Sequence, residues 1–293
     1  MTSIIPAGEF RWGLQLPIQS QSRIYAQDWE ASAGPADLLA ITLAAESAGA
    51  AYVAVCDHAA IPRPLDEKMG AVWYDTVATL GWLAAQTRSI WLMSHVYVLP
   101  YRSPLLTAKA FATLDALSGG RVILGVGAGH VEREFELLGV SFTERGRILD
   151  AAIDDIRQVF RTGEISDAVV EPLAARAGGP PIWVGGSSSA ALRRAARRGD
   201  GWLPQGPPKM GLRGAIALLH EERAKALGDD AEPMDIGGFT GPVDPTEPEP
   251  IVAMLTKLRS LGINNVQVQF RSESSAHFAE QVERFGADVF SQL

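Results

Sequence analysis

Three of the five histidines of this chain fall where predicted strands end: His58, His95 and His130. An imidazole changes charge near neutral pH, so it can donate or accept a proton during a reaction. The other two, His220 and His277, lie in predicted helices. We expect the strand-end histidines to form a proton-handling site. The alternative is that each one is a structural residue with satisfied hydrogen bonds.

Asp57 directly precedes His58, where a predicted strand enters a long loop. A carboxylate beside an imidazole can orient it or hold a hydrogen-bond donor; the alternative is an ordinary loop pair. No metal site is expected. A metal-binding barrel hydrolase usually has a His-x-His pair on its first strand, and residues 11–17 contain no histidine. The only cysteine, Cys56, excludes a multi-cysteine metal site.

Two glycine-rich turns follow predicted strands. Residues 185–189 (GGSSS) lie before a predicted helix, where free amides and hydroxyls can bind an anion such as phosphate. The alternative is a simple turn with a serine helix cap. Residues 125–129 (GVGAG) do not match G-x-G-x-x-G, because position 130 is histidine. Their glycines could let the backbone approach a flat or anionic ligand, or could simply form a tight turn.

The elements that carry these residues alternate regularly between strand and helix. Short apolar strands, each followed by helix, indicate a parallel sheet covered by helices. Eight such repeats favour a closed α/β (β/α)8 TIM barrel over an open doubly wound sheet. The predicted strands are 11–16, 51–57, 90–99, 121–126, 181–184, 201–203, 234–240 and 265–270. The predicted helices are 35–49, 74–86, 103–117, 131–138, 143–160, 188–198, 212–227, 249–261 and 275–290.

Two segments do not fit the repeat. Residues 161–179 are predicted as an irregular connection, and the Pro-rich, acidic residues 241–250 as a surface loop. Neither is a domain boundary in this interpretation, so residues 1–293 are predicted to form a single barrel domain.

Composition excludes several classes of protein. The chain has 293 residues, is 47% hydrophobic and carries a net charge of -8. A disordered chain would be poorer in apolar residues, and a nucleic-acid or membrane-surface binder would be more basic. The N-terminus has no signal-peptide pattern, and no segment has the roughly 18 apolar residues of a membrane span. We therefore expect a cytoplasmic protein.

Several motifs together resemble the luciferase-like monooxygenase superfamily, most closely its branch that uses the deazaflavin coenzyme F420. The run at 118–129 is the most specific of them. The motifs are VCDH at 55–58, SHVYVLPYR at 94–102, KAFATLD at 109–115, SGGRVILGVGAG at 118–129 and GDGW at 199–202.

This resemblance implies a bacterial-luciferase-like barrel with insertions, commonly a homodimer, that binds a tricyclic cofactor across the strand ends. It implies a non-proline cis peptide at Ser94–His95. The sugar-phosphate dehydrogenases of the family have a histidine base at the position of His58, but a glutamic acid where this chain has His130. The residues expected to bind the cofactor are Asp57, Ser94, His95, Gly127, Ala128, Gly129, Gly185, Gly186, Ser187 and Ser188.

The sequence thus predicts an oxidoreductase that transfers a hydride between F420 and an unidentified small organic substrate. His58 or His130 would donate the proton, and Asp57 would orient His58 or hold the cofactor. One alternative is an FMN-dependent luciferase-like monooxygenase. Another is a non-catalytic protein that binds deazaflavin or flavin.

Overall fold

A computed structural model describes residues 3–228 and 230–293 of the chain. The strands are β1 Arg11–Gln15, β2 Tyr52–Val55, β3 Trp91–Ser94, β4 Tyr97–Val98, β5 Val122–Gly127, β6 Glu164–Ile165, β7 Ala168–Val169, β8 Ile182–Gly185, β9 Gly201–Leu203, β10 Asp235–Val243 and β11 Asn265–Phe270. The helices are α1 Pro35–Ser47, α2 Asp66–Met69, α3 Thr76–Gln86, α4 Pro104–Ser118, α5 Glu132–Leu137, α6 Arg145–Thr162, α7 Ser189–Arg198, α8 Gly211–Leu227, α9 Pro248–Ser260 and α10 Ser275–Arg284.

The parallel strands close into a barrel. Their order is β1-β2-β3-β5-β8-β9-β10-β11, and β11 pairs with β1. The predicted eight-stranded barrel is therefore confirmed. Several of its strands, such as β2 with the sequence YVAV, are buried along their whole length, because helices cover the outside and side chains fill the inside.

Large side chains fill the barrel interior. Tyr52, Met93 and Trp183 belong to one buried cluster with Ile5, which precedes the first strand. The N-terminal segment is held in place by Asp235, whose carboxylate accepts a hydrogen bond from the Ile4 amide at 2.9 Å. The interior is therefore packed rather than open, which leaves the ends of the strands as the place for a binding site.

The third barrel strand is interrupted at its upper end, between β3 and β4. The non-proline cis peptide predicted at Ser94–His95 lies one bond later, between His95 and Val96. The prediction was wrong by one residue because Ser94 is still a regular strand residue, paired with Val55 of β2. The break begins only after that pairing ends.

Glycines of the neighbouring strands make room for this interruption. A Cβ on Gly125 would lie 2.0 Å from the carbonyl oxygen of Ser94. A Cβ on Gly127 or Gly185 would lie 2.5 or 2.7 Å from the Val96 side chain. These glycines therefore accommodate atoms of the protein itself.

Two connections contain more structure than the sequence indicated. The segment 161–179 contains the antiparallel pair β6 and β7, which begins after the left-handed Gly163 that ends α6. The expected surface loop at 241–250 begins as strand, because β10 continues to Val243 by pairing with the end of β11 beyond a bulge. At the other end of the chain, α10 stops at Arg284 and a π-helical turn follows.

The packing of Gly125 against strand three gives the first testable prediction. The substitution Gly125→Ala should lower the free energy of unfolding by about 1–3 kcal/mol, because the new methyl group meets a backbone oxygen that cannot move freely. Gly241→Ala is the matched control, since a Cβ there meets nothing within 4 Å. Urea denaturation of both variants measures the difference, and equal midpoints would refute this account of the glycine.

Candidate active site

Two of the predicted histidines meet at the carboxyl ends of β2 and β5. The ring centroids of His58 and His130 are 5.7 Å apart, and the Trp73 ring lies 4.4 Å from His58 in an edge-on contact. The His58 side chain is only 10% exposed, whereas His130 is exposed to solvent. The structure thus brings a buried and a solvent-facing imidazole to one side of the barrel mouth.

A carboxylate that the sequence analysis did not single out holds His58. Glu134 Oε2 lies 2.7 Å from His58 Nδ1 and accepts a hydrogen bond from the Tyr101 hydroxyl at 3.1 Å. Its Oε1 accepts from the amides of Ala59 at 2.8 Å and Ala60 at 3.2 Å. Burial acts to raise the pKa of Glu134, but the bonds from His58 and these amides outweigh it and hold that pKa below its usual value. The carboxylate is therefore ionised at neutral pH.

Asp57 is engaged elsewhere. Its two oxygens accept from the Arg102 guanidinium, at 2.7 Å each, and one of them also accepts from the Val98 amide at 2.8 Å. The carboxylate is almost fully buried. The expectation that Asp57 orients His58 is therefore wrong, because Glu134 makes that contact. Through its bonds to Val98 and Arg102, Asp57 instead connects the end of β2 to the segment that follows the interrupted third strand.

His95 lies apart from the other two histidines, among amide side chains. Its Nδ1 is 3.2 Å from Gln15 Oε1 and its Nε2 is 3.2 Å from Gln205 Nε2. Gln267 Nε2 lies 3.4 Å from the same Nδ1, so this ring nitrogen faces both an amide oxygen and an amide nitrogen. Burial lowers the pKa of His95 to about 4, so the ring is neutral at physiological pH. His95 can form hydrogen bonds at the barrel mouth but does not supply a proton there.

The turn after β8 opens onto a cavity of about 480 Å³. Ser188 caps α7 by accepting a hydrogen bond from the Ala191 amide at 3.2 Å, so the first turn of this helix points into the region. The Ser187 hydroxyl donates to Gly206 O at 2.6 Å and accepts from the amide of Gln205. The cavity is lined by Ser187, Ser188, Ser189, Gln205, Pro207, Lys209 and Met210.

This lining has the chemistry of an anion site. Hydroxyl groups, a helix N-terminus and the Lys209 ammonium all favour negative charge. Among the residues that the structure describes, no carboxylate lies within ion-pair distance of Lys209. Gly186 itself has φ +125°, and a Cβ there would lie 2.7 Å from Ala191, so the conformation of the turn requires glycine.

The remaining candidates are placed as follows. The Ser94 hydroxyl donates to Gly125 O at 2.8 Å inside the barrel wall, and so it does not face the mouth. Gly129 has φ +78°, and a Cβ there would meet Val98 at 2.7 Å, so this glycine too serves packing. Ala128 is half-buried at the end of β5.

Residues 3–228 and 230–293 contain neither a candidate metal site nor a candidate membrane-spanning helix. No group of three or more His, Cys, Asp or Glu side chains there could hold a metal ion. In the same part of the chain, no helix has the length and apolar character needed to cross a membrane.

The sequence of this barrel matches a known protein family. Residues 10–249 match the family described as luciferase-like monooxygenase. The chain belongs to this family. The resemblance noted in the sequence is thereby confirmed, and the protein is an enzyme of the luciferase-like superfamily.

Individual relatives add detail. The uncharacterized protein Rv0940c of Mycobacterium tuberculosis is 32% identical over 250 residues, which are 78% of this chain and 83% of that protein. An F420-dependent glucose-6-phosphate dehydrogenase of Amycolatopsis mediterranei is 31% identical over 181 residues, or 58% of this chain and 53% of that enzyme. The F420-dependent tetrahydromethanopterin reductase of Methanopyrus kandleri shares the fold, with a TM-score of 0.73 over 97% of this chain and 99% of that one, at 17% identity.

The most specific motif of this luciferase-like enzyme, the run at 118–129, is largely structural. Arg121 donates to the carbonyl oxygens of Ser118, Ile90, Ala84 and Thr87, and so ties together the C-terminal ends of α3 and α4. Several glycines in the run make room for strand three, as described above. The motif therefore identifies the family through its barrel packing.

Sequence reasoning missed Glu134 and Arg102 although both left a signal. Glu134 lies in the first turn of α5, four residues after His130, and so it is close to the same strand end. Arg102 closes the motif at 94–102, in which the arginine was given no role. Their partners, His58 and Asp57, lie more than 40 residues away and could not be paired from spacing alone.

The second prediction separates a structural from a ligand-binding role for Asp57. The substitution Asp57→Asn should cost about 3 kcal/mol of stability, because it leaves the Arg102 guanidinium without its carboxylate partner. Cofactor affinity per folded molecule should stay nearly unchanged. Thermal unfolding and a binding titration on the same sample test this. A stable variant with weakened binding would instead show that Asp57 contacts the cofactor.

Proposed function

We propose that this enzyme transfers a hydride between the deazaflavin coenzyme F420 and a small organic substrate. The observation that carries the proposal is His58, held by a buried carboxylate on Nδ1 while Nε2 has no hydrogen-bond partner among the described residues. Such an imidazole can give up or receive a proton. The names of the F420-dependent relatives support the choice of cofactor. We further propose a cytoplasmic homodimer, from the same resemblance.

The residues present fit the phosphate of such a cofactor. Hydroxyls of Ser188 and Ser189, the first turn of α7 and Lys209 would hold it in the 480 Å³ cavity. The ring system would extend from there across the strand ends, past Gln205 and His95, which offer neutral hydrogen-bonding groups. When bound, the cofactor supplies or takes up a hydride; the protein positions the two reactants and handles the proton.

The proton would pass through His58. In the reducing direction, a carbon of the substrate gains a hydride, and its oxygen or neighbouring atom must gain one proton. His58 Nε2 would provide that proton and become neutral. The His130 ring is exposed to solvent and its centroid is 5.7 Å from that of His58, so His130 would take part in restoring the proton. In the oxidising direction the same atoms would act in reverse.

The main alternative is an FMN-dependent monooxygenase, since the family is described as luciferase-like monooxygenase. The same anion site would then hold the FMN phosphate, so the choice depends on the ring system. A non-catalytic carrier would bind the cofactor without turnover, and the Glu134–His58 pair would then have no catalytic role.

Cofactor selectivity is the third prediction. F420 should bind at least ~10-fold more tightly than FMN, a difference of ~1.4 kcal/mol. Quenching of the fluorescence of the seven tryptophans would follow both titrations. Lys209→Gln should weaken the binding of both cofactors, because it removes the cation that lines the phosphate cavity.

Lys257→Gln is the matched control for this titration, since Lys257 lies exposed on α9. Its affinity for F420 should equal that of the unsubstituted enzyme. Tighter binding of FMN than of F420 would favour the monooxygenase. Unchanged affinity in Lys209→Gln would place the phosphate elsewhere.

The fourth prediction concerns the two histidines. His58→Asn should lower turnover at least ~10²-fold with cofactor affinity nearly unchanged, because asparagine cannot exchange a proton at neutral pH. His130→Asn should have a smaller effect, since His130 lies on the solvent side. Turnover and melting temperature measured together correct for unfolding. Full turnover in both variants would remove histidine acid catalysis from the mechanism.

A further inference from the structure

The pairing of Glu134 with His58 has a consequence for which nitrogen of His58 can react. We propose that Glu134 is a positioning residue that holds neutral His58 in the tautomer with its hydrogen on Nδ1, which leaves Nε2 to exchange the proton. The catalytic half of this inference, proton exchange at Nε2, rests on the proposed function. The tautomeric half, hydrogen on Nδ1 in the neutral ring, rests on the geometry alone.

The hydrogen-bond partners of Glu134 determine which nitrogen of His58 carries the hydrogen. Both of its oxygens are acceptors, and four groups approach them: the amides of Ala59 and Ala60 at Oε1, and Tyr101 and His58 at Oε2. The amides can only donate. For His58 Nδ1 to lie 2.7 Å from an ionised oxygen, it too must carry a hydrogen.

The surroundings keep this arrangement fixed near neutral pH. Burial raises the pKa of the Tyr101 hydroxyl, and the nearby Glu134 raises it further, so the hydroxyl remains a donor. The other charged or titratable groups around the pair are His130 at the end of β5 and the Asp57–Arg102 ion pair. Because Arg102 is occupied by Asp57, it does not compete for Glu134.

The other edge of the ring is left for the reaction. Trp73 and His130 pack against the faces and edge of His58, but no described residue bonds to Nε2. In the reducing direction, Nε2–H gives its proton to the substrate atom next to the carbon that receives the hydride. The ring is then neutral with hydrogen on Nδ1, and a solvent proton restores Nε2–H. Glu134 stays ionised throughout, so the charges balance.

The tautomer can be measured directly by nitrogen–proton correlation NMR on enzyme with ¹⁵N-labelled histidine. We expect neutral His58 in the unsubstituted enzyme to show hydrogen on Nδ1 and a bare Nε2. This experiment needs no variant and no turnover. A neutral ring with hydrogen on Nε2 would overturn the assignment of Glu134.

The variant Glu134→Gln should reverse the tautomer. Its amide oxygen would remain with the two donors Ala59 and Ala60, which places the NH₂ group against His58 Nδ1. That nitrogen must then accept, so the hydrogen moves to Nε2.

Glu136→Gln is the matched control on the same helix, because Glu136 is exposed and pairs only with Arg133 among the described residues. It should leave the His58 spectrum unchanged. An unchanged tautomer in Glu134→Gln would overturn the inference.

Turnover separates this inference from the proposed function. With reduced F420 and 2-cyclohexen-1-one as acceptor, Glu134→Gln should lose at least ~10²-fold in rate while it keeps its F420 affinity. A reversed tautomer with unchanged turnover would overturn the catalytic half and with it the role of His58 in the proposed function. The expected tautomer in an enzyme that turns over no acceptor would contradict the proposed function and leave the positioning by Glu134 standing.

Discussion

The ion pair between Asp57 and Arg102 fixes the geometry of the barrel mouth. Asp57 lies at the end of β2, while its partners Val98 and Arg102 lie on either side of the turn that follows the interrupted third strand. The guanidinium also lies 4.1 Å from the centre of the Tyr97 ring. His58 is the next residue after Asp57, so the Asp57–Arg102 pair anchors the backbone of His58. This anchoring is independent of the contacts that the His58 side chain makes.

The interruption of strand three determines what the glycine-rich motifs can do. Val96 fills the space left at Gly127 and Gly185, so these positions are occupied by protein and do not form a channel for a ligand. The proposed anion site would then consist of serine hydroxyls, the first turn of α7 and Lys209, which line the cavity after β8. In this proposal, packing and ligand binding use different residues of the same short motifs.

The sequence was sufficient for the barrel and for the grouping of His58 with His130. Apolar strands repeat regularly, and the ends of neighbouring parallel strands must meet at one rim. The sequence was insufficient to predict which side chains pair with the Asp57 and Glu134 carboxylates. Whether Asp57 or Glu134 faces His58 depends on how two loops fold back over the rim, and adjacency in sequence favoured the wrong one. The cis peptide was misplaced for a related reason, since strand pairing continues one residue further than the motif shows.

Asp57 and Glu134, the two carboxylates beside the strand-end histidines, differ in the kind of cation that each one faces. The Asp57 carboxylate pairs with a guanidinium, which keeps its charge at any physiological pH, so this pair neither takes up nor releases a proton. The Glu134 carboxylate pairs with an imidazole, which can gain or lose a proton. Burial lowers the pKa of His130, and a positive charge on His58 lowers it further. In the proposed mechanism, the exchangeable proton would therefore be on the Glu134 side of the mouth, and the Asp57–Arg102 pair would be its fixed support.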